Sequence, residues 1–146
     1  METVTVIDVE NESKALKNKM LKKLINTEGV INLDFKDIQT VVREKALYGS
    51  SEAFSIENIK KAAQEVIASI LMVDKNAFKE GGVIVNITTG KDISLLDAQG
   101  FVEYIESLIK PVSVDIWGLV VEDSFKKGQI KVEIMLPTNL ELTQKT

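Results

Sequence analysis

Apolar positions recur at helical spacing along three stretches of the chain. Between Glu10 and Asn26, Leu16, Met20, Leu21, Leu24 and Ile25 form one stripe, and Lys14, Lys17, Lys19, Lys22 and Lys23 fill the surface around it. A single stripe predicts a helix with one buried face. Gly29 stops that helix, and a shorter one is expected from about Phe35 to Glu44. In the second stretch Ile56, Ile59, Ala63, Val66, Ile67 and Ile70 follow Ser55. A serine there can accept from N–H groups that the first helical turn leaves unpaired, so it reads as an N-cap. The third helix is expected from about Leu95 to Lys110, where Pro111 ends it.

Elsewhere the period shortens. Val83–Ile87 is a nearly continuous apolar run after Gly81–Gly82, as in a central strand. In Gln129–Leu136, Ile130, Val132, Ile134 and Leu136 alternate with Lys131, Glu133 and Met135. That predicts a half-buried strand with one face toward helices. Ser113–Val121 is rich in β-formers, and Ala46–Leu47–Tyr48 reads as a short strand ended by Gly49–Ser50–Ser51. Thr88 to Asp92 reads as a polar turn. Thr3–Val9 is β-prone, but reads equally as a lead into the helix after it. The sum is an α+β fold: a four-stranded sheet covered mostly on one face by two long helices, with a lysine-rich helix in front. The expected division is residues 1–28 as N-terminal segment and helix, 29–140 as the main domain, and 141–146 as a polar tail.

Composition narrows the chemistry. The chain has 146 residues, enough for one domain with a real core. It is 45% hydrophobic and 27% charged, a usual mix for a soluble globular domain. A formal charge of −4 argues against nucleic acid, which is held largely by basic side chains at phosphates. There is no cysteine and no histidine. Disulfides and thiolate metal sites are thereby excluded, and the usual general base near neutral pH is missing; no metal site is expected. No apolar run reaches membrane-spanning length and no signal peptide is evident, so the cytoplasm is the expected compartment and no membrane partner is expected. Asn86, inside an apolar strand, is expected to hydrogen-bond within the fold, and Trp117 to be wholly or partly buried.

The segment Gly29–Ile38, GVINLDFKDI, carries the sharpest signal. Asp34 stands at an N-cap position and Asp37 in the first helical turn, where unpaired N–H groups and the dipole favour carboxylates. Asn32 can close the turn on itself. Capping alone explains each residue singly, but not their coincidence in one string. That string closely resembles the synergy loop of the FtsZ/tubulin family, written GLINxDFADV. The resemblance continues. GGVIVNITTGKDISLLDAQGFVEYI is similar to the family's GVLVNITGGxDLxLxEVxEAxxxI, and KKAAQEVIASILM to its RAxEAAxxAISSPLL. SVDIWGLVVEDSFKKGQIKVEIMLPTNL is similar to AxIIFGxxxDExLxDExxVTVIATGF. The similarity covers roughly residues 11 to 140 and implies the family's C-terminal, activating domain.

What the resemblance implies for residues is specific. Asn32, Asp34 and Asp37 would act on the GTP of a neighbouring subunit, positioning water opposite the leaving phosphate. Gly29, Leu33, Phe35 and Lys36 would form the contact surface around them. Lys36 stands where the family has Ala. Glu12 falls on the family's guanine-contacting Asp, but Asp8 falls on its ring-stacking Phe, and a carboxylate cannot stack. The family's glycine-rich phosphate loop, GGGTGTG, has no counterpart here, and Gly81–Gly82 precedes a strand rather than a helix. The chain alone is therefore expected to bind no cofactor and to be no enzyme by itself, though it could complete a GTPase site in trans. The lysines on the first helix would cover a second interface, the segment Ser50–Ser55 departs from the family's glycine-rich pattern, and the family's C-terminal linker does not follow Thr146.

Three functions are compatible with this sequence. The first is an interaction module that docks its loop on the nucleotide face of an FtsZ-type GTPase, modulating polymerisation and GTP hydrolysis, with self-association as a variant. The second is the C-terminal half of a split GTPase that pairs with a separate GTPase domain. The third is a small-molecule-binding module on a reused fold.

Overall fold

The computed structural model describes residues 3–8, 45–79, 82–110 and 112–138. These form five strands and two helices in the order β1 (Thr3–Asp8), β2 (Lys45–Ala53), α1 (Ile56–Val73), β3 (Val83–Thr89), α2 (Leu95–Ile109), β4 (Val114–Val121) and β5 (Ile130–Pro137). The sheet order is β1-β2-β5-β3-β4. β5 runs antiparallel to both β2 and β3, and β4 runs parallel to β3 through the crossover helix α2. The expected helix over 35–44 lies outside the described residues.

Both helices form where side-chain caps and apolar spacing agree. Ser55 accepts from Asn58 N–H at 3.1 Å, and Ser94 accepts from Asp97 N–H at 3.0 Å. α1 buries Ile59, Ala63, Val66, Ile67 and Ile70; α2 buries Ala98, Phe101, Val102, Ile105 and Ile109. They share one core with Leu47 of β2, Val85 and Ile87 of β3, Leu119 of β4, and Val132 and Ile134 of β5. Trp117 is half-buried against this core.

Four expectations are corrected. The sheet has five strands rather than four, because Thr3–Asp8 pairs antiparallel with Lys45–Ser50. The short strand at Ala46–Tyr48 does not stop at Gly49–Ser51 but runs to Ala53. Gly49 is in the strand because α1 passes directly over it: an added Cβ would lie 2.9 Å from Val66 Cγ1 and 3.2 Å from Ile70 Cδ1. Thr88 and Thr89 end β3 rather than forming a turn, and both are buried. β5 is buried on both faces, since Glu133 and Met135 are as enclosed as Val132 and Ile134.

The hairpin between β4 and β5 depends on Gly128, whose φ is +80°. A Cβ there would lie 2.6 Å from the Phe54 carbonyl oxygen. Gly128→Ala should therefore destabilise the fold by about 1–3 kcal/mol, the usual cost of a side chain in that backbone region. Urea unfolding checks this, and an unchanged midpoint would refute it.

Candidate functional site

β2, β3 and β4 finish, and β5 starts, at one end of the sheet: Ile130 is the register partner of both Ala53 and Thr89, and Thr89 that of Val121. Three connections meet there. Asp92 Oδ2 accepts from Gly128 N–H at 2.8 Å, which ties the loop after β3 to the β4–β5 hairpin. Gly90 is packed so closely that a Cβ would lie 3.0 Å from Asp92 Oδ1 and 3.5 Å from the Lys126 carbonyl oxygen. Gln129 Nε2 donates to Glu52 Oε2 at 2.8 Å, joining β2 to the same hairpin. This fixed end carries exposed apolar side chains: Phe54 is 57% exposed, Leu95 47% and Leu96 79%. Leu95 and Leu96 open α2 just after the Asp92 loop, and the Phe54 carbonyl lies against Gly128. Exposed apolar side chains that share one end of a sheet are candidates for an interaction surface.

The second feature lies on the sheet face opposite α1 and α2. Tyr48 Oη donates to Glu133 Oε2, and Asn86 Nδ2 donates to Glu133 Oε1 at 3.2 Å. Tyr48 is 2% exposed, Glu133 2% and Asn86 3%. Register makes this geometry: Glu133 is paired with Ser50 on β2 and with Asn86 on β3, and Tyr48 stands two positions before Ser50, on the same face of β2. Burial pushes the Tyr48 phenol well above its ordinary range, and the negative charge of Glu133 adds to that. Asn86 Oδ1 and Thr88 Oγ1 are buried there without a hydrogen-bond partner among the described residues. The expectation that Asn86 bonds within the fold holds. The pairing itself was missed, although its signal was present: two polar residues at interior positions of two strands.

Asn32, Asp34 and Asp37, the contact residues Gly29, Leu33, Phe35 and Lys36, and Glu12 all lie outside the described residues. Among the described residues no group of three or more Asp, Glu, His or Cys could hold a metal ion. No described helix is long and apolar enough to cross a membrane.

A mixed sheet with two helices on one face and a parallel β3–α2–β4 crossover is the arrangement of the C-terminal domain of tubulin-like proteins. The fold matches an empty FtsZ dimer structure from M. jannaschii with a TM-score of 0.60, at 22% identity, covering 87% of this chain and 38% of that one. A point mutant of the same protein matches with a TM-score of 0.59. Residues 44–140 match the FtsZ family C-terminal domain. A cell division protein FtsZ from Haloferax mediterranei is 32% identical over 128 residues, which is 86% of this chain and 33% of that protein. One from Caulobacter vibrioides is 31% identical over 119 residues, covering 80% and 23%. The chain belongs to the FtsZ family. It spans about a third of the length of the Haloferax relative, and β1 lies outside the matched domain.

Proposed function

We propose that this chain is an interaction module of the FtsZ type, which docks on the nucleotide-bearing face of an FtsZ-type GTPase and modulates its polymerisation. The observation that supports this reading is the exposure of Phe54, Leu95 and Leu96 at an end of the sheet whose loops are tied together. Covering such side chains on contact contributes about 25 cal/mol per Å² of apolar area. The resemblance of Gly29–Ile38 to the family's synergy loop supports a nucleotide-bearing partner. Asn32, Asp34 and Asp37 would then position the water that attacks the partner's GTP. Head-to-tail assembly joins complementary surfaces of successive subunits, so a chain docked on the nucleotide-bearing face would compete with filament subunits for it.

Leu96→Asp distinguishes docking from bystander exposure. It places a charge on an exposed position and should leave the fold intact. Binding to the GTPase, followed by co-sedimentation with filaments, should weaken at least about tenfold, as for truncation of an interface anchor. Unchanged co-sedimentation would count against docking through this end.

A further inference from the structure

We infer that β1 is an anchor: it fixes the second end of the segment between residues 9 and 44, and so positions the stretch Gly29–Ile38 for its work on a partner's GTP. The inference rests on the functional reading above. Asp8, the last residue of β1, is the register partner of Lys45, the first residue of β2. Residues 9 to 44 therefore leave the sheet and return to it at neighbouring backbone positions. Antiparallel partners hold their Cα atoms about 5 Å apart. The ends of a flexible chain of that length would otherwise lie roughly 30–36 Å apart.

The described residues hold this point from both sides. All of β1 pairs with β2 in one unbroken register, from Thr3 with Ser50 to Asp8 with Lys45. Val6 is 7% exposed and belongs to the core shared with α1, and Val4 packs against that core. Across β2, Ala46 pairs with Pro137, and the Lys45 carbonyl accepts from Thr138 N–H at 3.1 Å. β1 lies outside residues 44–140, the part that matches the family domain and holds both helices and the other four strands. What β1 adds to that domain is a second point of attachment for the segment before it. Ile38 stands only seven positions before Lys45, so β2 tethers the stretch Gly29–Ile38 on one side and β1 on the other. Two attachments restrict where the stretch can be carried, and one leaves it a wider range. A misplacement of about 1 Å can cost about a hundredfold in rate. β1 touches no reacting group, so it acts as a positioning element.

The test uses the full chain and an FtsZ-type GTPase of the same cell. Val4→Pro/Thr5→Pro removes two successive N–H groups, one of which an antiparallel strand turns toward its neighbour, and so takes β1 off β2. Urea unfolding should stay cooperative, because both helices and four strands remain. The maximal GTP turnover added by saturating chain should fall about tenfold, while the concentration giving half the effect should change less than about twofold. Val6→Ala, a milder loss of the same contact, should act in the same direction by a smaller factor, and it carries the test if the proline variant does not fold. Adding Thr3→Cys/Ser50→Cys, register partners in a chain with no other cysteine, should restore turnover when oxidised and not when reduced. In the chain alone, amide hydrogen exchange over residues 29–38 should quicken in both loosened variants. Unchanged exchange and unchanged turnover would overturn the anchor. A raised half-effect concentration with an unchanged maximum would assign β1 to docking and overturn its positioning role. Quickened exchange, with a GTPase that the original chain leaves unaltered, would overturn the functional reading and leave the anchor standing.

Discussion

Glu133→Ala should cost the fold roughly 2–5 kcal/mol, at about 1–3 kcal/mol for each of the two buried donors it leaves without an acceptor. The carboxylate receives the Tyr48 hydroxyl on one oxygen and the Asn86 amide on the other, and all three side chains are almost fully enclosed. Alanine would leave both donors buried without an acceptor and open a void beside them. Against a typical total stability of about 5–15 kcal/mol, that loss is large. Glu133→Gln should cost much less, about 1 kcal/mol, because its carbonyl oxygen can still accept from Asn86 and the phenol can reverse its bond. Equilibrium urea unfolding of the three proteins measures the difference. Equal stabilities for the alanine and glutamine variants would show that the network does not hold the sheet face.

The same cluster sets an alkaline limit. The Tyr48 phenol ionises at a higher pH in the folded chain than in the unfolded one. A raised pKa contributes stability that is fully present below the unfolded value, about 10 for tyrosine, and is lost as pH rises beyond it. Stability should therefore begin to fall above about pH 10, and Tyr48→Phe should flatten that fall. An identical alkaline profile for Tyr48→Phe would assign the fall to other groups.

Asp34→Ala carries the largest expected functional effect. If the loop at Gly29–Ile38 meets the GTP of a partner, Asp34 is one of two carboxylates available to align the attacking water. A positioned acid or base contributes typically about 10²–10⁴-fold to a rate. Any turnover that this chain adds to an FtsZ-type GTPase should thus drop about a hundredfold in the variant. Docking through Phe54, Leu95 and Leu96 should persist, so Asp34→Ala should bind without stimulating. The contrast with Leu96→Asp, which should not bind, separates chemistry from contact.

Much of the fold was legible because local signals agreed with it. Ser55 and the spacing of Ile59, Ala63, Val66 and Ile70 point to one helix, and both the cap and the buried face are there. The apolar run at Val83–Ile87 reads as a central strand, and β3 lies between β5 and β4. The misses arose where tertiary packing overrode local preference. Gly49, Ser50 and Ser51 are turn-forming types, but the close pass of α1 over Gly49 and the ladder to β5 hold them in a strand. Thr3–Asp8 is too short for its alternation to decide between strand and lead-in, and only its pairing with β2 decides. Glu133 read as the solvent-facing member of an alternating strand, because a glutamate is normally exposed unless paired; its partners come from β2 and β3. The site divides in the same way. The loop residues were recognised through resemblance and lie outside the described residues. The exposure of Leu95 and Leu96 was not legible, since leucines at the start of a periodic helix read by default as core.

The central claim is that this chain acts on the GTP and filaments of an FtsZ-type partner. Its most direct test is GTP turnover and filament length of that GTPase, measured together as purified full chain is added. The account predicts shorter filaments and altered turnover at substoichiometric amounts, with the turnover effect lost in Asp34→Ala. Filaments and turnover unchanged by the original chain, or changed identically by Asp34→Ala, would contradict it.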